Sequence, residues 1–159
     1  MRFPRMLPII PLVLVLAAAG AYAASDWLKG SPEEQLKTLA EIQPGLGTVM
    51  IEYGARFTNM YYAAKGGNWG LADYQLKEAR EIQEVGEKTR PARADMLKGF
   101  ETSYLDPLGA AIKAKDFKKF DQAAKAAIEG CNGCHAAQGF PFIKYELPKG
   151  PTFPLSMKP

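Results

Sequence analysis

From Leu46 onward the chain is organised by apolar residues that recur at three- and four-residue steps. Leu46, Val49, Met50, Tyr53, Phe57, Met60, Tyr61 and Ala64 form one such run, which predicts an amphipathic helix with a single buried face. Lys65-Gly66-Gly67-Asn68 interrupts it, and Asn68 is placed to cap the helix that follows. Trp69, Ala72, Leu76, Ala79, Ile82 and Val85 mark the buried face of that second helix, which should end near Thr89, before Pro91. Leu97, Phe100, Tyr104, Leu108, Ala111 and Ile112 predict a third, with Asp106-Pro107 inside it as a kink or a break. Asp116 caps a last helix whose apolar side carries Phe117, Phe120, Ala124, Ala127, Ile128 and Cys131.

Ahead of these, Ser31-Pro32-Glu33-Glu34 is a capping box with proline at the first helical position, opening a short leader helix that stops at Gln43-Pro44-Gly45. No stretch alternates with a two-residue period long enough to predict a strand. The expected fold class is all-α: a short N-terminal leader helix and four main helices, most simply arranged as an antiparallel four-helix bundle. After Gly139 the helical period is lost. Residues 141–159 hold Pro141, Pro148, Pro151, Pro154 and Pro159 and predict an extended tail. Phe140, Phe142, Ile143, Tyr145 and Phe153 give that tail a reason to pack back onto the helices, since a fully solvated segment needs no such residues.

The first residues have a different pattern. Arg2 and Arg5 precede an apolar run from Leu7 to Ala19, and Ala21-Tyr22-Ala23 presents small residues at the two positions read by a signal peptidase. Residues 1–23 are therefore expected to be a secretory signal, and residues 24–140 a single helical domain followed by the tail at 141–159. The apolar run is too short to span a bilayer, which takes about 20 residues as a helix, so no stable membrane insertion is expected after cleavage. Export would place the protein in a bacterial periplasm. The formal charge of +3 falls to near neutral once Arg2 and Arg5 are removed, leaving no electrostatic basis for binding nucleic acid.

Composition becomes decisive at Cys131-Asn132-Gly133-Cys134-His135, which gathers the two cysteines and the one histidine of the chain. This is C-x-x-C-H, the attachment pattern for a c-type haem. Two thiols on roughly one turn of chain can each form a thioether with one vinyl group of a single haem c, and the adjacent imidazole can ligate its iron. The alternatives fit less well. A redox dithiol favours a helix N-terminus, where the dipole lowers a thiol pKa, whereas this pair closes its helix. A structural zinc site takes four ligands, and Cys and His supply only three here. The pattern predicts Cys131 and Cys134 as covalent haem attachments and His135 as the proximal iron ligand.

The motif lies near the C-terminus, on the last helix of a predicted bundle. In this the chain, from Leu46 to about Gly139, resembles the cytochrome c′ family (class II mono-haem c-type cytochromes) and its low-spin relatives. The resemblance implies a four-helix bundle with the haem on its final helix and a distal side chain supplied by the first bundle helix. Met50 lies on the buried stripe of that helix and is the candidate distal iron ligand; Met60 is the second choice. The competing reading of either is core filler. No second histidine exists, so the sixth position falls to a methionine, a lysine amine or an open face.

The function expected is an exported mono-haem cytochrome that carries single electrons to and from periplasmic redox partner proteins. A five-coordinate haem protein binding nitric oxide or carbon monoxide is the alternative, and a haem subunit of a larger redox complex is a third. Bundles of this type often pair through their first helices, which makes a homodimer one arrangement. With no further histidine to serve as a base and no paired carboxylates in a recognisable motif, the chain is not expected to be an enzyme. Lys113, Lys115, Lys118, Lys119 and Lys125 are candidates to ring the haem edge, or else a solvated helix face.

Overall fold

The computed structural model describes residues 27–159, so the predicted signal segment lies outside the described residues. Among the described residues the regular structure is all helix, with no strand, and no helix is long and apolar enough to cross a membrane.

Residues 27–43 carry α1 (Pro32–Glu41). Ser31 Oγ accepts from the Glu34 backbone N–H at 3.3 Å while the Glu34 carboxylate accepts from the Ser31 N–H at 2.7 Å. Two of the free N–H groups at the helix start are thereby satisfied reciprocally. None of the residues in α1 is buried.

Residues 44–159 hold α2 (Leu46–Lys65), α3 (Trp69–Thr89), a short 3₁₀ turn at Pro91–Arg93, α4 (Ala94–Phe100), a π-helical turn at Glu101–Leu105, α5 (Asp106–Lys113) and α6 (Phe117–Ala137). Gly66 and Gly67 reverse the chain between α2 and α3, and Gly67 takes a φ of 83°, a conformation open to glycine. Asn68 Oδ1 then accepts from the Leu71 N–H at 3.0 Å to start α3. The two helices run antiparallel, with Gly86 near the end of α3 closing on Leu46 and Val49 at the start of α2.

The buried face of α3 differs from the predicted stripe. Val85 is exposed, and Gln75, Gln83 and Gly86 are enclosed in its place. A glutamine is tolerated there when its amide has a partner, and Gln83 Nε2 donates to the Leu97 carbonyl at 3.0 Å. In the third predicted helix the interruption takes the form of a wide turn just ahead of Pro107, which has no N–H to contribute to the helical ladder. The extra residue advances the buried stripe. Leu105 is fully enclosed, and Tyr104 instead lies over Gly130 of α6, its ring 2.5 Å from where a Cβ would stand. Arg80 brackets the same turn, pairing with Glu101 on one side and with Asp106 at 2.7 Å on the other.

Small side chains let the helices approach closely. Ala63, Ala64, Ala72, Ala79, Ala111, Ala124 and Ala127 are all buried, around the larger Phe57, Met60, Leu108 and Phe120. On α6 the buried positions Phe120, Ala124 and Ala127 continue at helical spacing to Cys131. Tyr61 of α2 meets the start of α6, donating to Asp121 at 2.8 Å and packing its ring 6.1 Å from that of Phe120. Lys115, at φ 52°, and the Asp116 cap, which accepts from the Lys119 N–H at 3.0 Å, turn the chain from α5 into α6.

Candidate functional site

The site is built where α6 ends. Gly139 adopts a φ of 85°, and the Phe140 N–H reaches back to the His135 carbonyl at 2.9 Å. This left-handed residue reverses the chain, so the proline-rich tail returns past the last turn of α6. The Ile143 carbonyl lies 3.0 Å from His135 Nδ1. A carbonyl only accepts, so Nδ1 is the nitrogen that carries a proton, and in a neutral imidazole so held the lone pair is at Nε2. One helical turn earlier the Asn132 amide engages both backbone groups of Tyr145, accepting from its N–H at 2.7 Å and donating to its carbonyl at 3.1 Å.

The tail then crosses α2. The Tyr145 hydroxyl sits 2.8 Å from Thr58 Oγ1 and 3.3 Å from the Gly54 carbonyl, and its ring packs edge-on to Phe57. Tyr62 donates to the Pro148 carbonyl at 2.6 Å, and Asn59 Oδ1 accepts from the Thr152 and Phe153 N–H groups. Asn68 holds the Ser156 and Lys158 carbonyls. Each bond pairs a tail backbone or phenol group with a polar side chain or carbonyl on α2 or its following turn.

Cys131 and Cys134 are both free thiols. Burial pushes the Cys131 thiol up to about 12, with the neighbouring Cys134 adding to the rise. Cys134 is raised by burial as well, and the Arg93 guanidinium offsets part of that. Thiols held protonated in this way are poor nucleophiles and weak redox partners, the opposite of a reactive dithiol. Among the described residues no three His, Cys, Asp or Glu side chains converge as a metal-holding group. Cys131, Cys134 and His135 therefore do not aim at one point as zinc ligands would. A macrocycle asks for something else: two thiols spread along its edge and one imidazole nitrogen beside them. The two free thiols and the Nε2 left free by the Ile143 contact are donor types that a covalently held haem would use.

Three other features surround the motif. Met96 Sδ, from α4, lies 3.3 Å from Cys134 Sγ. Arg93 donates to the Gln138 side-chain oxygen at 2.9 Å and sits 5.9 Å above the Phe140 ring. Tyr53 of α2 is buried with its hydroxyl unpartnered, and burial above all holds the phenol well above its usual range. Met50 is half-buried on α2, one turn before Tyr53. Met60 is fully enclosed within the core cluster.

Lys113, Lys115, Lys118 and Lys119 cluster at the opposite end of α6, about 25 Å along its axis from Cys134 by helical rise, and Lys119 and Lys125 are paired with Asp116 and Asp121. The basic side chain beside the motif is Arg93. The Asn132 clasp, the Ile143 carbonyl and the Met96 contact had no signal in the sequence, because each depends on where the chain goes after Gly139 or on the placement of α4.

Compared with known proteins, the chain matches no family model, no curated relative and no solved structure.

Proposed function

We propose that this is a haem protein, holding one haem c through thioethers to Cys131 and Cys134 with His135 as the proximal axial ligand. Within that class it is read as an exported mono-haem cytochrome of the c′ type, built as an antiparallel four-helix bundle in which α2, α3, the α4–α5 segment and α6 are the four helices, and carrying single electrons between periplasmic redox proteins. A bound haem would supply a one-electron ferric/ferrous couple. The observation that carries this reading is the Ile143 carbonyl 3.0 Å from His135 Nδ1. The Ile143 carbonyl holds the proton on Nδ1, which leaves Nε2 as the donor to a metal, and two free thiols stand within four residues of it on the same helix.

The side chains of the chain divide the work. Cys131 and Cys134 tether, His135 ligates, and the tail covers α2 from Gly54 onward and the turn at Asn68. Met50 is the candidate distal ligand. The decisive experiment is expression of the full chain with haem-attachment machinery. The purified protein should be coloured, and its mass should exceed that of the processed polypeptide by one haem; Cys131→Ser with Cys134→Ser should abolish covalent attachment. A colourless wild-type chain at the bare polypeptide mass would overturn the reading.

The buried, unpartnered Tyr53 hydroxyl favours a second reading. A five-coordinate haem protein binding nitric oxide or carbon monoxide would have a use for a dry hydrogen-bond donor on the helix that carries Met50. Carbon monoxide added to the reduced protein separates the two, since a methionine-ligated iron resists it and an open one does not.

A further inference from the structure

Asn132 occupies one of the two unspecified positions of the C-x-x-C-H pattern, yet its side chain is half-buried and uses both ends of its amide. The orientation of that amide is set by its partners. The Tyr145 N–H only donates, which places Oδ1 against it; the Tyr145 carbonyl only accepts, which places Nδ2 there. The pair 132–145 and the pair 135–143 then form two consecutive rungs between one face of α6 and the returning tail. Positions 132 and 135 share a helix face, and positions 143 and 145 are two apart on an extended segment.

The second rung depends on the first. Ile143 is 47 % exposed, so water competes for its carbonyl, and of the four residues between Gln138 and Ile143 only Gly139 and Phe140 donate backbone bonds, both back to α6, before the Ile143 N–H reaches the Phe140 carbonyl at 3.0 Å. Beyond Ile143 the next anchor is Tyr145, fixed at its backbone by Asn132 and at its hydroxyl by Thr58 and Gly54.

We propose that Asn132 is a positioning residue. By clasping the backbone of Tyr145 it holds the Ile143 carbonyl on His135 Nδ1, which fixes the Nδ1–H tautomer and strengthens Nε2 as a donor. The effect on a metal rests on the haem reading given above; the effect on the tautomer does not. An imidazole that donates its second N–H to a carbonyl is a more basic ligand, and the stronger donor favours the more highly charged ferric state.

The test compares full-length wild type with Asn132→Ala and with Tyr62→Phe, which releases the Pro148 carbonyl farther along the tail and leaves the clasp untouched. His135 is the one histidine of the chain, so ¹⁵N NMR of the haem-free protein at a pH where imidazole is neutral reports a single ring. Wild type and Tyr62→Phe should show the Nδ1–H form; Asn132→Ala should shift toward the Nε2–H form favoured in water, with Nδ1 proton exchange about tenfold faster. In the haem-loaded proteins, Asn132→Ala should favour the ferrous state about tenfold, a midpoint shift of about +59 mV for one electron, with Tyr62→Phe at the wild-type value. An unchanged tautomer in Asn132→Ala overturns the proposal. If that variant does not fold, an Nε2–H form in wild type overturns it equally. A wild-type chain that takes no haem sinks the functional reading instead, and the tautomer measurement still decides the clasp.

Discussion

Gly99 and Gly130 are both helical glycines, and their surroundings predict opposite responses to a methyl group. A Cβ at Gly130 would stand 2.5 Å from the Tyr104 ring, inside any tolerable contact. Gly130→Ala should therefore destabilise the protein by about 1–3 kcal/mol through overpacking. At Gly99 nothing lies within 4 Å, and alanine there should stabilise α4 by about 0.5–1 kcal/mol by restricting the unfolded chain. Urea unfolding of the two variants beside wild type checks both signs at once. A similar response at the two positions would show that Tyr104 does not rest on Gly130 in solution. The candidate site at Cys131, Cys134 and His135 could be proposed from sequence alone because the proposed attachment chemistry asks for those types at that spacing. Asn132 was opaque for the converse reason: the pattern leaves its position free, and its role arises from a backbone that returns only after Gly139.

Helices α2 and α6 are tied near one end by Tyr61 and Asp121, and the tie has a pH signature. Burial, with the Asp121 hydrogen bond and charge behind it, pushes the Tyr61 phenol up to about 12. Raised in the folded state, this group contributes stability that is complete below pH 10, where the unfolded phenol is still protonated. That contribution is lost as pH climbs from about 10 toward 12, and the buried Tyr53 acts in the same direction. Asp121 is shifted the other way, held below the usual carboxylate range by Lys125 first and by Tyr61 second. Its contribution is present above a pH near 4 and falls away in acid. Circular dichroism against pH should show an alkaline unfolding limb that is shallower in Tyr61→Phe; an identical limb would rule the tie out as its cause. At this scale the sequence was informative about starts and stops. Ser31, Asn68, Asp116 and the Gly-Pro punctuation act on neighbouring backbone groups, so helix limits could be read locally. The face of α3 could not, because Gln75 and Gln83 are polar by type and yet buried, Gln83 with its amide on the Leu97 carbonyl and Gln75 with its amide unpartnered. The tail path was equally hidden, since its hydrogen-bond partners on α2 and the turn after it lie about 90 residues away along the chain.

At the scale of the whole molecule, the functional reading turns on what faces the side of the iron opposite His135. If Met50 supplies the sixth ligand, the reduced protein should show a sharp α band and ignore carbon monoxide. Met50→Ala should then broaden the spectrum to a high-spin form and admit the gas, while Met60→Ala should lose stability by about 2–5 kcal/mol with the spectrum unchanged, because Met60 is sealed in the core. A wild-type protein that already binds carbon monoxide would assign Met50 to packing and favour the gas-binding alternative, with Tyr53 nearby to donate a hydrogen bond.

The wide turn at Glu101–Leu105 has one more effect. Each residue of a regular helix rotates the chain by about 100° and advances it by about 1.5 Å. One surplus residue therefore offsets the rotational phase of α4 from that of α5. Deleting Ser103 would give a smoother helix and yet swing Met96 off Cys134 by more than a quarter of a revolution, so that local regularity would rise while the aim of the Met96 thioether toward Cys134 was lost.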